Sequence, residues 1–551
     1  MTEDNLQDPA RRKMLAQTLA HSVALSVGSL LGGEALAAFP AAATGTTQKR
    51  GGNGKHTIDV LVVGGGSAGA VLASRLSEKP GRNVLLLEAG NNYAAWDYPR
   101  VIANSDIVGG DTSHEWGYKT QPGYIDHPIK ALRGKVLGGS SAINGAVAIR
   151  ARPQDLKNWN LPGWSYADML PAFKRLENRD VGSAALHGHG GPLPVRQLTR
   201  EDITPMQRAF VDATVANGYR VVDDFDGADA NGVGPYPMNI VNGVRVNTGM
   251  AYLTNEVRSR TNLQIRGDAL VDKVLFDQGR AIGVKLANGE EIRANEVALS
   301  AGAYGSAAIL LRSGIGPEAD LRALSIPVIA NLPVGQGLKD HPFYYNAYAA
   351  RPDAIGAQSP AIGAFLWTNS SAAQNGDLDL HITATHLFPQ DQSPTKVGFV
   401  LAVALTRPSS VGSLKLASRQ PGDAPLIDLN FLGEADDRAK LLEGIKLSRR
   451  ISRTAPLSDL IHSELNPGPN VSTDEQILAS AKSTIDTYHH PTSTAPMGLA
   501  SDPNAVVDLD GRVHGVSNLR VVDASIFPDT ISVATNITTI ATAEHIAHRF
   551  S

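Results

Sequence analysis

The stretch TIDVLVVGGGSAGAVLASRLSEKPGRNVLLLEAG, residues 57–90, restricts the fold more than any other part of the chain. Residues 58–63 form an apolar, β-branched run of strand length, which predicts a buried strand. Gly64, Gly66 and Gly69 follow in G-x-G-x-x-G spacing, AVLASRLSE has a helical pattern, and NVLLLE is a second buried strand ending at Glu88. Strand, tight turn, helix and strand make one parallel βαβ unit, and an acid about 20 residues beyond the glycines completes a dinucleotide-binding pattern. Gly64 makes the turn, Gly66 lets the backbone approach a pyrophosphate, and Gly69 lets helix and strand pack closely. The helix N-terminus draws the diphosphate through its free N–H groups and its dipole. Glu88 accepts hydrogen bonds from a ribose diol. A glycine-rich turn without a ligand is the rival reading, and the matched context speaks against it. The unit does not separate FAD from NAD.

A chain of 551 residues is too long for one ordinary core, so two domains, interleaved or sequential, are expected. No Lys/Arg block forms a phosphate footprint, which argues against a nucleic-acid partner. The chain has no cysteine, which excludes disulfides, cysteine nucleophiles, iron–sulfur ligation and thiolate zinc sites. Residues 1–45 differ from the rest. Arg11 and Arg12 precede a mildly apolar run with small-residue cleavage candidates at residues 35–37 and 41–43. The pattern resembles a twin-arginine export signal and implies a periplasmic or exported protein; a plain N-terminal tail on a cytoplasmic protein is the alternative. Gln17, His21, Ser22, Ser26, Ser29 and Glu34 dilute the run too much for a spanning helix. TTQKRGGNGKH then reads as a flexible linker.

Four further stretches point one way: RGKVLGGSSAINGAVAIR (133–150), SAGAYGSAAILLRSGIGP (300–317), TYHHPTSTAPMG (487–498) and NLRVVDASIFP (518–528). With the βαβ unit, and with smaller pieces such as PVGQGLKDHP (333–342), the chain resembles the glucose–methanol–choline family of flavoprotein oxidoreductases from about residue 59 to residue 545. The resemblance implies an α/β fold, α+β overall. A Rossmann-like FAD-binding domain would come from residues 56–160, 235–340 and 485–551. A substrate domain on an antiparallel sheet would come from 161–234 and 341–484. It implies that Gly64, Gly66, Ser67, Ala68, Gly69, Glu88 and Ala89 hold the ADP half of FAD. Arg133, Val136, Gly138, Gly139, Ser140, Asn144 and Ala146 would follow the pyrophosphate, ribityl chain and ring. Val271 would contact adenine through its backbone, Asp523 and Ala524 would approach the pyrophosphate and ribityl chain, and Ile537 would adjoin the ring. Ile143 stands where some relatives carry a histidine that attaches FAD, so the flavin is expected to be non-covalent.

The same resemblance places His490, before Pro491, over the flavin as the base that takes an alcohol's hydroxyl proton; an imidazole with an unperturbed pKa near ~6.5 suits that task. His489 is expected to pack or hydrogen-bond behind it. The position where relatives carry a second His or Asn is Ala534 here. Asn536 lies two residues on and is expected to meet the ring or to cap the helix ITTIATAEHIA; with His490 and His489 it completes the set of catalytic candidates. No metal is expected, and His187 and His189 in HGHGG read as a turn entering a strand. Tyr344, Tyr345, Phe365, Trp367, His381, His386 and Phe388 either wall the substrate pocket or form core. RPDAIGAQSP (351–360) suggests a lid. The implied function is oxidation of an alcohol, apolar or aromatic, by hydride transfer to flavin N5, with dioxygen, a quinone or a redox protein as electron acceptor. A non-redox FAD-containing lyase of the cyanohydrin type and a light-driven flavin decarboxylase on the same fold are the alternatives.

Overall fold

The structure, a computed structural model, describes residues 57–550 except Ala228 and Asn375; the export-signal reading of residues 1–45 lies outside the described residues. In chain order the strands that position the site are β1 (Val60–Val63), β2 (Val84–Leu87), β3 (Gly232–Pro235), β4 (Leu263–Arg266), β5 (Glu296–Leu299), β6 (Pro342–Ala350), β7 (Ile362–Thr368), β8 (Leu380–Thr385), β9 (Gly398–Leu405), β10 (Ile461–Asn466) and β11 (Leu519–Val521). The helices are α1 (Ser67–Leu76), α2 (Gly302–Arg312), α3 (Ala435–Ser452) and α4 (Thr535–Arg549).

The chain is a mixed α/β protein with two principal sheets. The first is parallel, in the order β11-β5-β1-β2-β4. Every residue of β1 and β2 is buried. A parallel sheet covered on both faces is lined by apolar side chains on both, which is why these strands read as unbroken hydrophobic runs. Helix α4 packs on α1. Arg75 and Glu544 pair between them at 2.8 Å, and Tyr252 donates to the same carboxylate at 2.8 Å. The Glu544 carboxylate is buried, and Tyr252 adds a third donor to the oxygen that Arg75 Nε and Nη2 already engage.

The second sheet is antiparallel, in the order β10-β6-β9-β8-β7-β3, with Asp486–Thr487 pairing on β6. Helix α3 covers one face. On the other, strand alternation lines up Phe343 and Tyr345 of β6, Ala402 and Ala404 of β9, and His381, Thr383 and Thr385 of β8. Alanines in the middle strand, flanked by rings and hydroxyls, leave a recess.

Candidate active site and cofactor cleft

One cavity of about 300 Å³ runs between the sheets, from Gly64, Glu88 and Val271 at one end to Phe343, Tyr345 and His490 at the other. The glycine turn shows which glycines the protein itself requires. Gly64 has φ +95°, and a Cβ there would lie 2.5 Å from the Ser300 carbonyl oxygen. A Cβ on Gly69 would fall 1.8 Å from the Gly64 carbonyl oxygen. Gly66 is different: its nearest neighbour to an added Cβ is Gly139 Cα at 3.6 Å, an ordinary contact. The protein leaves that space open, and it faces the cavity. Gly66 is also the N-cap of α1; no side chain caps this helix end and no acid stands in its first turn. Free N–H groups beside an open space are the features a diphosphate needs.

Glu88 Oε2 accepts from Gly65 N at 2.8 Å and Oε1 from Gly90 N at 2.9 Å. Burial pushes its pKa up to about 7, against the pull of those N–H groups. Asp523 is occupied: Gly302 N and Ser306 Oγ donate to Oδ2 at 2.9 and 2.6 Å, and Ser525 N and Oγ to Oδ1 at 2.8 and 2.5 Å. Its carboxylate therefore ties the start of α2 to the turn after β11.

Of the residues assigned to FAD, Gly64, Gly66, Ser67, Ala68, Glu88, Ala89, Arg133, Gly139, Ser140, Asn144, Val271, Asp523, Ala524 and Asn536 line the cavity. Gly69, Val136, Gly138, Ala146 and Ile537 are outside the lining. The first four of these are packing residues: Val136 and Ala146 are fully buried, and Gly138, at φ +95°, faces Asn247, whose Oδ1 would lie 2.6 Å from an added Cβ. Ile537 is buried in α4. Ile143 is in the lining and has no nucleophilic atom to bond a flavin. The cradle fits a dinucleotide in shape and in donor set.

Two expectations for Asn536 separate. The cap position of α4 is Ala534, whose side chain makes no cap hydrogen bond, so Asn536 does not cap the helix. It lies one turn position inside, where its Oδ1 accepts from Ser67 Oγ at 2.7 Å across the cavity wall.

At the other end, His489, His490 and Pro491 all line the cavity. His489 has φ +64° and lines the cavity beside His490. Arg133 donates to the His489 carbonyl oxygen. Burial carries the His489 pKa down to about 3, helped by the charge of Arg133.

His490 Nδ1 lies 3.1 Å from His341 Nδ1, and the rings meet edge to face with centroids 5.2 Å apart. His341 Nε2 is 3.0 Å from Thr530 Oγ1. Asp340 joins the two histidines: its Oδ1 accepts from His341 N at 2.7 Å and His490 N at 2.8 Å, and Thr487 Oγ1 donates to Oδ2 at 2.7 Å. Burial, with the charge of Arg133 and the repulsion that a second protonated ring among His341, His489 and His381 would bring, holds the His490 pKa well below its ordinary value, so the ring is neutral near pH 7. Burial also lifts Asp340 to about 6. Asp340, His341 and Thr487 were given no role from sequence. The one available signal was the pair KDH in residues 339–341, a carboxylate and an imidazole side by side before a strand.

The substrate side differs from its outline in sequence. Of the seven candidates only Tyr345 lines the cavity, joined by Phe343, Ile362, Thr383, Thr385, Leu387 and Tyr488. Tyr344, Phe365, Trp367, His381, His386 and Phe388 are buried core. Residues 351–360 do not reach the cavity either. Asp106 holds the end of that segment, accepting from Ser359 Oγ at 2.7 Å and from Ala361 N at 2.8 Å. The outer wall comes from Pro421, Asp423 and Pro425. His187, far from this cavity, is bound to Glu177 at 3.1 Å and Asp224 at 2.9 Å.

Comparison with known proteins agrees with this geometry. The GMC oxidoreductase profiles match residues 58–343 and 408–543. A mitochondrial choline dehydrogenase of Mus musculus is 36% identical over 535 residues, covering 90% of this chain and 89% of its own. An oxygen-dependent choline dehydrogenase of Pseudomonas putida is 37% identical over 535 residues, 89% of this chain and 94% of its own. Among solved structures, pyridoxine 4-oxidase from Mesorbium loti superposes with a TM-score of 0.82 at 31% identity, over 89% of this chain and 99% of that one. The family profiles thus cover most of the described chain, which carries a dinucleotide cradle at one end of its cavity, and the chain belongs to the GMC oxidoreductase family, whose cofactor is FAD.

Proposed function

We propose that this chain oxidises a neutral primary alcohol, apolar or aromatic, to its aldehyde. The observation that carries the reading is His490, a neutral imidazole in the wall of the same cavity whose other end is the dinucleotide cradle. Bound FAD supplies the acceptor for the α-hydride. His490 removes the hydroxyl proton as the C–H bond breaks, so the substrate loses one proton and one hydride. Phe343, Tyr345 and Tyr488 exclude water and face the substrate; Tyr488 also stacks on Phe343, with centroids 4.2 Å apart. The choline dehydrogenases and the pyridoxine oxidase among its relatives support alcohol oxidation. The aromatic faces of Phe343, Tyr345 and Tyr488 suit an apolar group; what favours an uncharged substrate is that the wall around His490 (Phe343, Tyr345, Thr383, Thr385 and Tyr488) carries no carboxylate to pair with a cation.

The division into cofactor segments (56–160, 235–340, 485–551) and substrate segments (161–234, 341–484) belongs to the same reading, as does non-covalent FAD, supported by Ile143. Dioxygen, a quinone or a redox protein takes the electrons. Export through the twin-arginine pattern at Arg11 and Arg12 would favour a dehydrogenase feeding a membrane chain; among the described residues no helix is long and apolar enough to cross a membrane.

The test is anaerobic. The purified protein is mixed with a panel of benzylic, aliphatic and cationic alcohols, choline included, and the visible flavin band is followed for wild type and His490→Ala. An uncharged aromatic alcohol should bleach the band fastest, and the variant should be slower by about 100-fold or more. Choline outpacing every neutral alcohol would overturn the substrate class, and an unimpaired variant would overturn the base. Hydrogen peroxide on admitting air marks an oxidase.

A further inference from the structure

Ala534 offers the base no polar partner, yet His490 has one. Its Nδ1 is 3.1 Å from His341 Nδ1. Two imidazole nitrogens at this distance share one hydrogen, and which ring owns it is set by what lies on the far side of each. Beyond His341, Thr530 Oγ1 is 3.0 Å from Nε2, and the backbone carbonyls of Ile531 and Thr406 also reach the ring. Carbonyl oxygens only accept. With Nδ1 turned to His490, the hydrogen they draw is the one on His341 Nε2, which leaves His341 Nδ1 bare. His490 Nδ1 must then carry the shared hydrogen, and His490 Nε2 is bare on the cavity side.

The two loops are held in register by one carboxylate. Residues 341 and 490 come from distant parts of the chain, and Asp340 Oδ1 takes the backbone N–H of each. Thr487 fastens Oδ2 at 2.7 Å, and the same Thr487 Oγ1 accepts from His489 N at 2.8 Å. Movement of either loop would lengthen the contact between the rings.

We propose that His341, pinned by Asp340, is a positioning residue for alcohol oxidation: it accepts the Nδ1 hydrogen of His490 and so keeps a bare Nε2 turned toward the substrate. The proposal deepens the reading of His490 as base and rests on it. A base held in the wrong tautomer is nearly inert, because the nitrogen facing the substrate already carries a hydrogen.

The test has a spectroscopic and a kinetic arm, both on the FAD-loaded full chain. Histidine is labelled with ¹⁵N in the ring, and the His490 signals are assigned by their loss in His490→Ala. Wild type should show a protonated Nδ1 and a bare Nε2 at His490. His341→Leu should lower kcat by about 100-fold while FAD content and the KM for alcohol stay within about threefold. His341→Asn should recover at least about tenfold of that loss, because its amide oxygen stands near the position of Nδ1 and accepts the same hydrogen. A protonated Nε2 at His490 in wild type would overturn the proposal. So would equal activity of the Leu and Asn variants, or loss of FAD from His341→Leu. Should His490→Ala oxidise alcohol normally, the base reading falls, while the wild-type spectrum still decides the tautomer.

Discussion

Gly66 and Gly69 share one turn and do different work. Gly69 is required by the protein, since an added methyl would meet the Gly64 carbonyl oxygen. Gly66 is required by what fills the cavity, since the protein alone has room for a Cβ there. Gly69→Ala should therefore destabilise the FAD-free protein by about 1–3 kcal/mol, as overpacking does. Gly66→Ala should cost the FAD-free protein only the small loss of a poorer helix cap, about 0.5 kcal/mol, and weaken FAD binding by at least tenfold. Denaturant unfolding without flavin, followed by a fluorescence titration with FAD, separates the two; equal losses of stability would refute the distinction. Asp486 makes a second residue-scale case. It is buried, with Tyr345 Oη donating to its Oδ2 at 3.0 Å, and burial raises its pKa to about 7. In the unfolded chain an aspartate releases its proton near ~3.9. The folded state thus binds more protons between about pH 4 and pH 7, and stability from this site falls as pH rises through that window. Asp486→Asn, uncharged throughout, should gain thermal stability over wild type at pH 8 and match it at pH 4. A gain independent of pH would contradict the assignment.

At the scale of elements, the start of α4 is under-capped. Ala534 has φ −54° and ψ 131°, extended as a cap residue should be, but lacks an oxygen for the first N–H groups. Ala534→Asn should add about 0.5–1 kcal/mol by supplying it. Chemical denaturation of the FAD-free protein measures this; no gain would mean the side chain turns into the cavity instead. The same elements show what a sequence can and cannot disclose. Gly64, Gly66 and Glu88 were legible because turn, helix and strand are neighbours in sequence and each leaves a local mark. His341 was hidden because its partner is 149 residues away. The split between Tyr345 in the wall and Tyr344 in the core was hidden for another reason. Alternation says that two adjacent strand residues face opposite ways, but not which of them faces the cavity. The outer wall at Pro421, Asp423 and Pro425 carried no mark either, since a loop between two short strands is shaped by what it packs on.

At the scale of the molecule, the twin-arginine reading makes its own prediction. Joined to a reporter protein, residues 1–56 should direct export in a bacterium with the twin-arginine pathway, and Arg11→Lys with Arg12→Lys should hold the reporter in the cytoplasm. Export of both alike would remove the reading. The order of the parallel sheet adds a constraint of timing. Strand β1 is among the first elements synthesised, β5 beside it comes halfway along, and β11, the neighbour of β5, is nearly the last. The cavity likewise draws its wall from residue 63 to residue 539. A ribosome partway through this message has therefore produced glycines for a diphosphate but no enclosure to keep one. Flavin capture is an event of the finished polypeptide, and any machinery that moves the loaded protein across a membrane must move it already folded.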